Sequence, residues 1–170
     1  MRSGTVIAFL LAIAIAAGCS SYGEFSDDTP RKNCASDALK KSEICDLRLR
    51  LYSSDKWTAH SFFVLEKYTQ REPARTTYQL IMRLALNNDA NFTAAVFSVN
   101  GKEYTLKTRK VVHDTEYDFR EVVYFDIGID FIKTLAAGKT ISVVMIGKVD
   151  REYNIEDDDI QSIVEFYKGL

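Results

Sequence analysis

The chain has 170 residues, which suits one ordinary domain and is short for two. Its hydrophobic content of 46% and aromatic content of 12% argue for a packed core and against disorder. With 22 basic and 24 acidic residues the surface is balanced, so nucleic acid is excluded as an expected partner, since that would call for a clearly basic stripe.

The first apolar run is Val6 to Ala17, "VIAFLLAIAIAA", preceded by a single charge at Arg2. As a helix it would measure about 18 Å against a hydrocarbon core of about 30 Å, too short to span comfortably. One positive charge, an apolar run and then small residues is the layout of a secretory signal peptide.

The run ends "AAGCS", with Ala16, Ala17 and Gly18 before Cys19. This ending resembles the lipobox of bacterial lipoproteins, although Ala16 stands where that family usually has leucine. The resemblance covers only the first twenty residues. It implies removal of residues 1–18 and thioether lipidation of Cys19, hence attachment to a membrane through an N-terminal lipid. Ser20 after the cysteine, rather than aspartate, implies the outer membrane, facing the periplasm or the surface, over the inner one. Several acyl chains anchor a protein firmly, because each buried methylene contributes about 0.8 kcal/mol.

Residues 19–33 are polar and aperiodic, with Gly23 and Pro30, and read as a lipidated flexible tether. A single globular domain is expected over residues 34–170. Lipidation of Cys19 leaves Cys34 and Cys45 as an even pair in an oxidising compartment, so a disulfide is expected between them. Eleven residues along one helix would separate them by about 16 Å, whereas bridged Cα atoms lie within about 7 Å. The segment "CASDALKKSEIC" must therefore reverse, and a short helix from Ser36 followed by a turn is the expected form.

"DLRLRLY" alternates strictly, with Leu47, Leu49 and Leu51 on one side and Arg48, Arg50 and Tyr52 on the other, as in a half-buried strand. Trp57 to Lys67 reads as a second strand. "TYQLIMRLAL" reads as a third, with Tyr78, Leu80, Met82, Leu84 and Leu86 inward and a wet face through Gln79 and Arg83. "FTAAVFSVNGKEYTLKT" is a hairpin signal, because Asn100-Gly101 suits the positive φ angles of a type I′ turn. Thr108 to Asp118 reads as a charged connection. "FREVVYFDIG" follows as a strand, then a short helix "DFIKTLAAG" with Asp130 as N-cap and Gly138 as its stop.

"TISVVMIGKV" is apolar on both parities at its centre, which suits a central strand. The C-terminal segment carries Ile160, Ile163, Val164 and Tyr167 at amphipathic helical spacing, with Asn154 available as a cap and Glu156 to Asp159 near the positive end of the dipole. The expected fold is α+β: a mainly antiparallel sheet or sandwich, with a short helix and a C-terminal amphipathic helix packed on it.

Chemistry-bearing patterns are sparse. His60 falls inside an expected strand as a structural residue, and His113, Asp114 and Glu116 lie close together in "HDTE" without the spacing of a zinc site. The "EDDD" run lacks the spaced ligands and glycine of a calcium loop. No metal or other cofactor is expected. Nucleophile-elbow and phosphate-cradling motifs are absent, so no catalytic residue is nominated. Exposed aromatics beside arginine remain: Arg48, Arg50, Tyr52 and Tyr124 are the interface candidates, in a mixture favoured at protein contacts.

The function expected from these features is a non-enzymatic, lipid-anchored envelope module binding an envelope protein or polymer. A cell-wall or glycan hydrolase using a carboxylate pair, and an inhibitor or exclusion lipoprotein, are the alternatives.

Overall fold

A computed structural model describes residues 31–53, 61–86, 90–114 and 120–170. The expectations at Cys19, Trp57, His60 and Glu116 lie outside them, as do the side chain of Asp114 and the signal-peptide and tether residues before Arg31. The described residues form ten strands and two helices. In chain order these are β1 (Arg31–Asp37), β2 (Ser42–Arg50), β3 (Phe62–Arg71), β4 (Ala74–Ala85), β5 (Ala94–Val99), β6 (Lys102–Lys107), β7 (Lys110–Asp114), β8 (Arg120–Ile127), α1 (Ile129–Ala136), β9 (Ile141–Ile146), β10 (Arg151–Ile155) and α2 (Asp157–Lys168). The fold is α+β and its strand pairings are antiparallel, as expected.

Two sheets face each other. One runs β1-β2-β3-β4-β8-β7 and the other β10-β9-β5-β6. Strict alternation supplies their inner faces: Leu47, Leu49, Phe63, Leu65, Leu80, Met82, Leu84, Val123 and Phe125 from the first, and Ala95, Phe97, Val99, Ile141, Val143, Met145, Tyr153 and Ile155 from the second, all in one buried cluster. Phe63 of β3 meets Phe97 of β5 edge to face across the interior, at 6.2 Å between centroids. Phe131 of α1 packs against Phe97 and Tyr104. Helix α2 lies against α1 and β2 and buries Ile160, Ile163 and Phe166.

Several local expectations change. The Cys34–Cys45 disulfide is present, but its segment is a β-hairpin and not a helix with a reversal: Cys34 pairs directly with Cys45 at a Cα separation of 4.1 Å. Asp37 Oδ1 accepts the N–H groups of Leu39 and Lys40, and Lys41 takes a φ of +48°, so the turn closes without helix. Strand β1 also begins at Arg31, within the stretch read as tether.

The charged connection after Thr108 contains β7. Asp130 lies in the first turn of α1, whose N-cap is Gly128, and Gly138 follows the cap residue Ala137. A Cβ on Gly138 would stand 2.9 Å from Val99 Cγ1, so the stop is also a close approach. Asn154 sits in β10, and Glu156 is the N-cap of α2. The NG hairpin holds, with φ of +52° at Asn100 and +79° at Gly101.

Between β2 and β3, neighbours in one sheet, the chain touches the other: Leu51 N–H donates to Ser61, and the next residue, Tyr52, bridges Asn154 of β10 through both backbone groups. From β6 to β7 the chain changes sheets at a sharp corner, where Thr108 N–H donates to Thr93 and Arg109 N–H donates to Tyr124 in the opposite sheet. The crossing from β4 to β5, at Ala90 to Phe92, is held by the fully buried Glu121 of β8. Its Oε1 accepts the N–H groups of Ala90 (2.6 Å) and Asn91 (2.8 Å), and its Oε2 that of Phe92 (3.4 Å). Removing this acceptor strands buried donors. Glu121→Ala is expected to cost about 3 kcal/mol, read as a lowered midpoint in urea unfolding; an unchanged midpoint would refute this role.

Candidate functional site

The outer face of the six-stranded sheet is organised in rows by strand register. One row crosses all six strands: Arg31, Arg48, Val64, Ile81, Tyr124 and Lys110. At about 4.8 Å per strand it spans about 24 Å. The row beside it reads Arg50, Phe62, Arg83, Val122 and Val112. The row on the other side reads Asn33, Asp46, Glu66, Gln79 and Asp126. Five cations and six apolar side chains thus share two rows that carry no carboxylate, and three carboxylates share the third.

The face is not uniformly wet. Val64 and Ile81 are only 4% and 6% exposed although they point away from the core. Arg48 and Tyr124 are their cross-strand neighbours in the row, with Ile81 and Val64 paired to each other.

Electrostatics fix several of these groups. Arg48 Nε lies 3.3 Å from Asp46 Oδ2. Arg109 joins the acidic row to Tyr124: its guanidinium donates to Gln79 Oε1 at 3.2 Å and lies 3.4 Å from Asp126 Oδ1, and Gln79 in turn donates to Glu66. Arg109 and Lys110 each stand 5.9 Å from the centroid of the Tyr124 ring. Tyr124 is therefore gripped by two cations at the β7 edge.

Of the four residues nominated from sequence, the structure sets Arg48, Arg50 and Tyr124 on this face. Tyr52 stands at its rim, where the chain has left β2 for the bridge to Asn154, with Arg50 5.6 Å from its ring centroid. Phe62, Val64, Ile81, Arg83, Val122 and Lys110 were not nominated. Their signal is present in "FFVL" and "LIM", where consecutive apolar residues require apolar side chains on both faces of a strand.

Other titratable groups lie elsewhere. The oxygens of Glu121 are engaged by backbone donors, and His113 Nδ1 lies 4.0 Å from one of them. Among the described residues no group of three or more His, Cys, Asp or Glu is placed to hold a metal ion. Among the described residues, too, no helix is long and apolar enough to cross a membrane.

Asp159, in the first turn of α2, is 5% exposed, and its Oδ2 has no hydrogen-bond partner among the described residues. Burial, then the charges of Glu156 and Asp158, push its carboxyl up from 3.8 to about 6. Burial and the charges of Glu156 and Asp159 also raise the Tyr52 hydroxyl above its usual range.

No family model matches the chain, and no curated protein matches it. Among solved structures, invasion associated protein B from Bartonella henselae aligns with a TM-score of 0.49 at 11% identity, covering 82% of this chain and 90% of that one.

The Asp159 carboxyl gives a pH test with a definite sign. Because the folded state holds its proton more tightly than the unfolded chain, its ionisation destabilises the fold, and stability falls as pH rises from about 4 to about 6. Asp159→Asn is expected to raise the melting temperature by a few degrees above pH 6 and to leave it unchanged below pH 4. A gain of equal size at both pH values would overturn this assignment.

Proposed function

We propose that this chain is a lipid-anchored protein of the bacterial cell envelope, held through Cys19, that binds an acidic envelope protein on the outer face of its six-stranded sheet. The observation that carries the reading is the pair of adjacent rows that bring five cations and six apolar side chains together on one sheet face, with Arg48 ion-paired to Asp46 of the next row. Such a face offers charge steering by its cations, with the half-exposed Phe62, Val112, Val122 and Tyr124 as the apolar contact area beside them. The groups stand on paired strands, so little loop ordering is required on binding.

The lipobox-like ending at Cys19 supports the location. Anchoring confines the domain to the membrane surface, which raises the effective concentration of partners there. The reading is non-enzymatic: the face presents arginines, lysine and apolar groups, the stock of recognition rather than of proton transfer.

Two measurements test it. Intact mass of the mature protein should show an acylated Cys19 as first residue; a chain that retains Met1 or starts elsewhere would remove the anchor. Photo-crosslinkers placed at Val122 and Val112 should capture a defined envelope protein in intact cells. The double variant Arg48→Glu/Lys110→Glu should weaken that capture by about tenfold or more, and added salt should weaken the parent complex too. Capture that is indifferent to both changes would refute the face as the binding surface.

A further inference from the structure

The hairpins β1–β2 and β3–β4 project side by side beyond the core, and their tips are joined. Arg71 N–H donates to the carbonyl of Lys41 at 2.9 Å, and Lys41 pairs with Glu72. The Cys34–Cys45 bridge and the Asp37 side chain stiffen the first tip from within. At its apex Leu39 is 97% exposed, far more than any other exposed large hydrophobic residue described. Lys40 and Lys41 follow it in the turn, and Arg71 and Arg75 lie at the neighbouring tip, all exposed; Lys40 is ion-paired with Asp37 and Lys41 with Glu72, so the four cations outnumber these two carboxylates by two. A chain whose overall charge is −2 thus gathers a positive surplus at one end.

We propose that this joined tip is a membrane contact, with Leu39 entering the acyl boundary of an anionic bilayer and the four cations resting on its headgroups. The occupant follows from shape and charge. A convex turn with one aliphatic side chain and no apolar surround lacks the shielding ring that a protein hot spot requires. A lone apolar wedge flanked by cations suits the headgroup boundary of an anionic leaflet.

Geometry allows the contact in the anchored protein. Eleven residues lie between Cys19 and Arg31, and the twelve steps they make can reach up to about 40 Å, whereas β1 runs only about 20 Å from Arg31 to the tip. The contact is additional to the lipid at Cys19 and is tested without it.

The buried cluster runs from Leu47 to Phe166, so a chain starting at Ser20 retains the whole core. That unacylated chain should co-sediment with vesicles of phosphatidylglycerol and phosphatidylcholine in equal parts, and not with pure phosphatidylcholine vesicles. Leu39→Ser and Lys40→Glu should each lower the bound fraction about fivefold, with melting temperatures unchanged because both side chains face solvent. High salt should release the protein. Equal binding to both vesicles, no binding to either, or variants that bind as the parent does would overturn the proposal. Self-association that Leu39→Ser abolishes in the absence of vesicles would overturn it as well and assign the tip to a second copy. Loss of the Cys19 anchor in the cell would leave these results unchanged, so the two readings fail separately.

Discussion

A sandwich made from one chain must carry its backbone across the gap between sheets, and the N–H groups of the crossing need acceptors where water cannot reach. Glu121 meets that requirement. One carboxylate, projecting inward from β8, accepts three successive N–H groups from Ala90, Asn91 and Phe92. Charge-assisted bonds of this type are about twice as strong as neutral ones, which compensates for burying an acid on an otherwise apolar face. The consequence is positional: the crossing delivers Phe92 and β5 into the interior, and Gly147 packs so close that a Cβ there would stand 2.5 Å from the Ala90 carbonyl oxygen. Loop, clamp and second sheet are one unit.

Two further backbone contacts tie the sheets together. At residues 108–109 the chain passes from one sheet to the other within a single peptide step, and at Tyr52 a strand-end of the six-stranded sheet bridges Asn154 of the other before the chain returns to β3. The six-stranded sheet is held in register by its ladders and by a core on its inner face, so its outer face is free to be shaped by another requirement.

Much of this was legible in the residues. Alternation located β2, β4 and β8 and their inner face, and Asn100-Gly101 fixed the turn that located β5 and β6. Local signals failed where a tertiary partner decided the outcome. The Cys34–Cys45 segment has helix-compatible residues, but pairing with β2 gives the β2-facing backbone groups of β1 ladder partners and brings the two cysteines opposite each other, which a short helix would not do. Strand β7 was hidden by charge, since "RKVVHD" has only two apolar residues and owes its state to β8. Strand β10 was hidden in the same way, with Tyr153 and Ile155 inward among charged neighbours. Glu121 fell on the apolar parity of its own strand and was passed over; an acid on that parity is itself the signal. At the candidate face Arg48, Arg50 and Tyr124 could be read from parity alone. Their juxtaposition with Val64 and Ile81 could not, because it depends on the register of strands that are distant in sequence.

Strand β1 is the outermost strand of its sheet and the point where the preceding residues enter the fold. Any pull on those residues loads the β1–β2 ladder from its Arg31–Arg48 end and opens it pair by pair, as a zipper. The Cys34–Cys45 crosslink stands at the fourth rung, after Arg31–Arg48, Lys32–Leu47 and Asn33–Asp46. Peeling stops there, and the load passes into β2, a strand flanked by ladders on both sides. With the disulfide formed, the part of β1 that can peel from its edge is therefore limited to three rungs, and everything beyond the crosslink stays with β2.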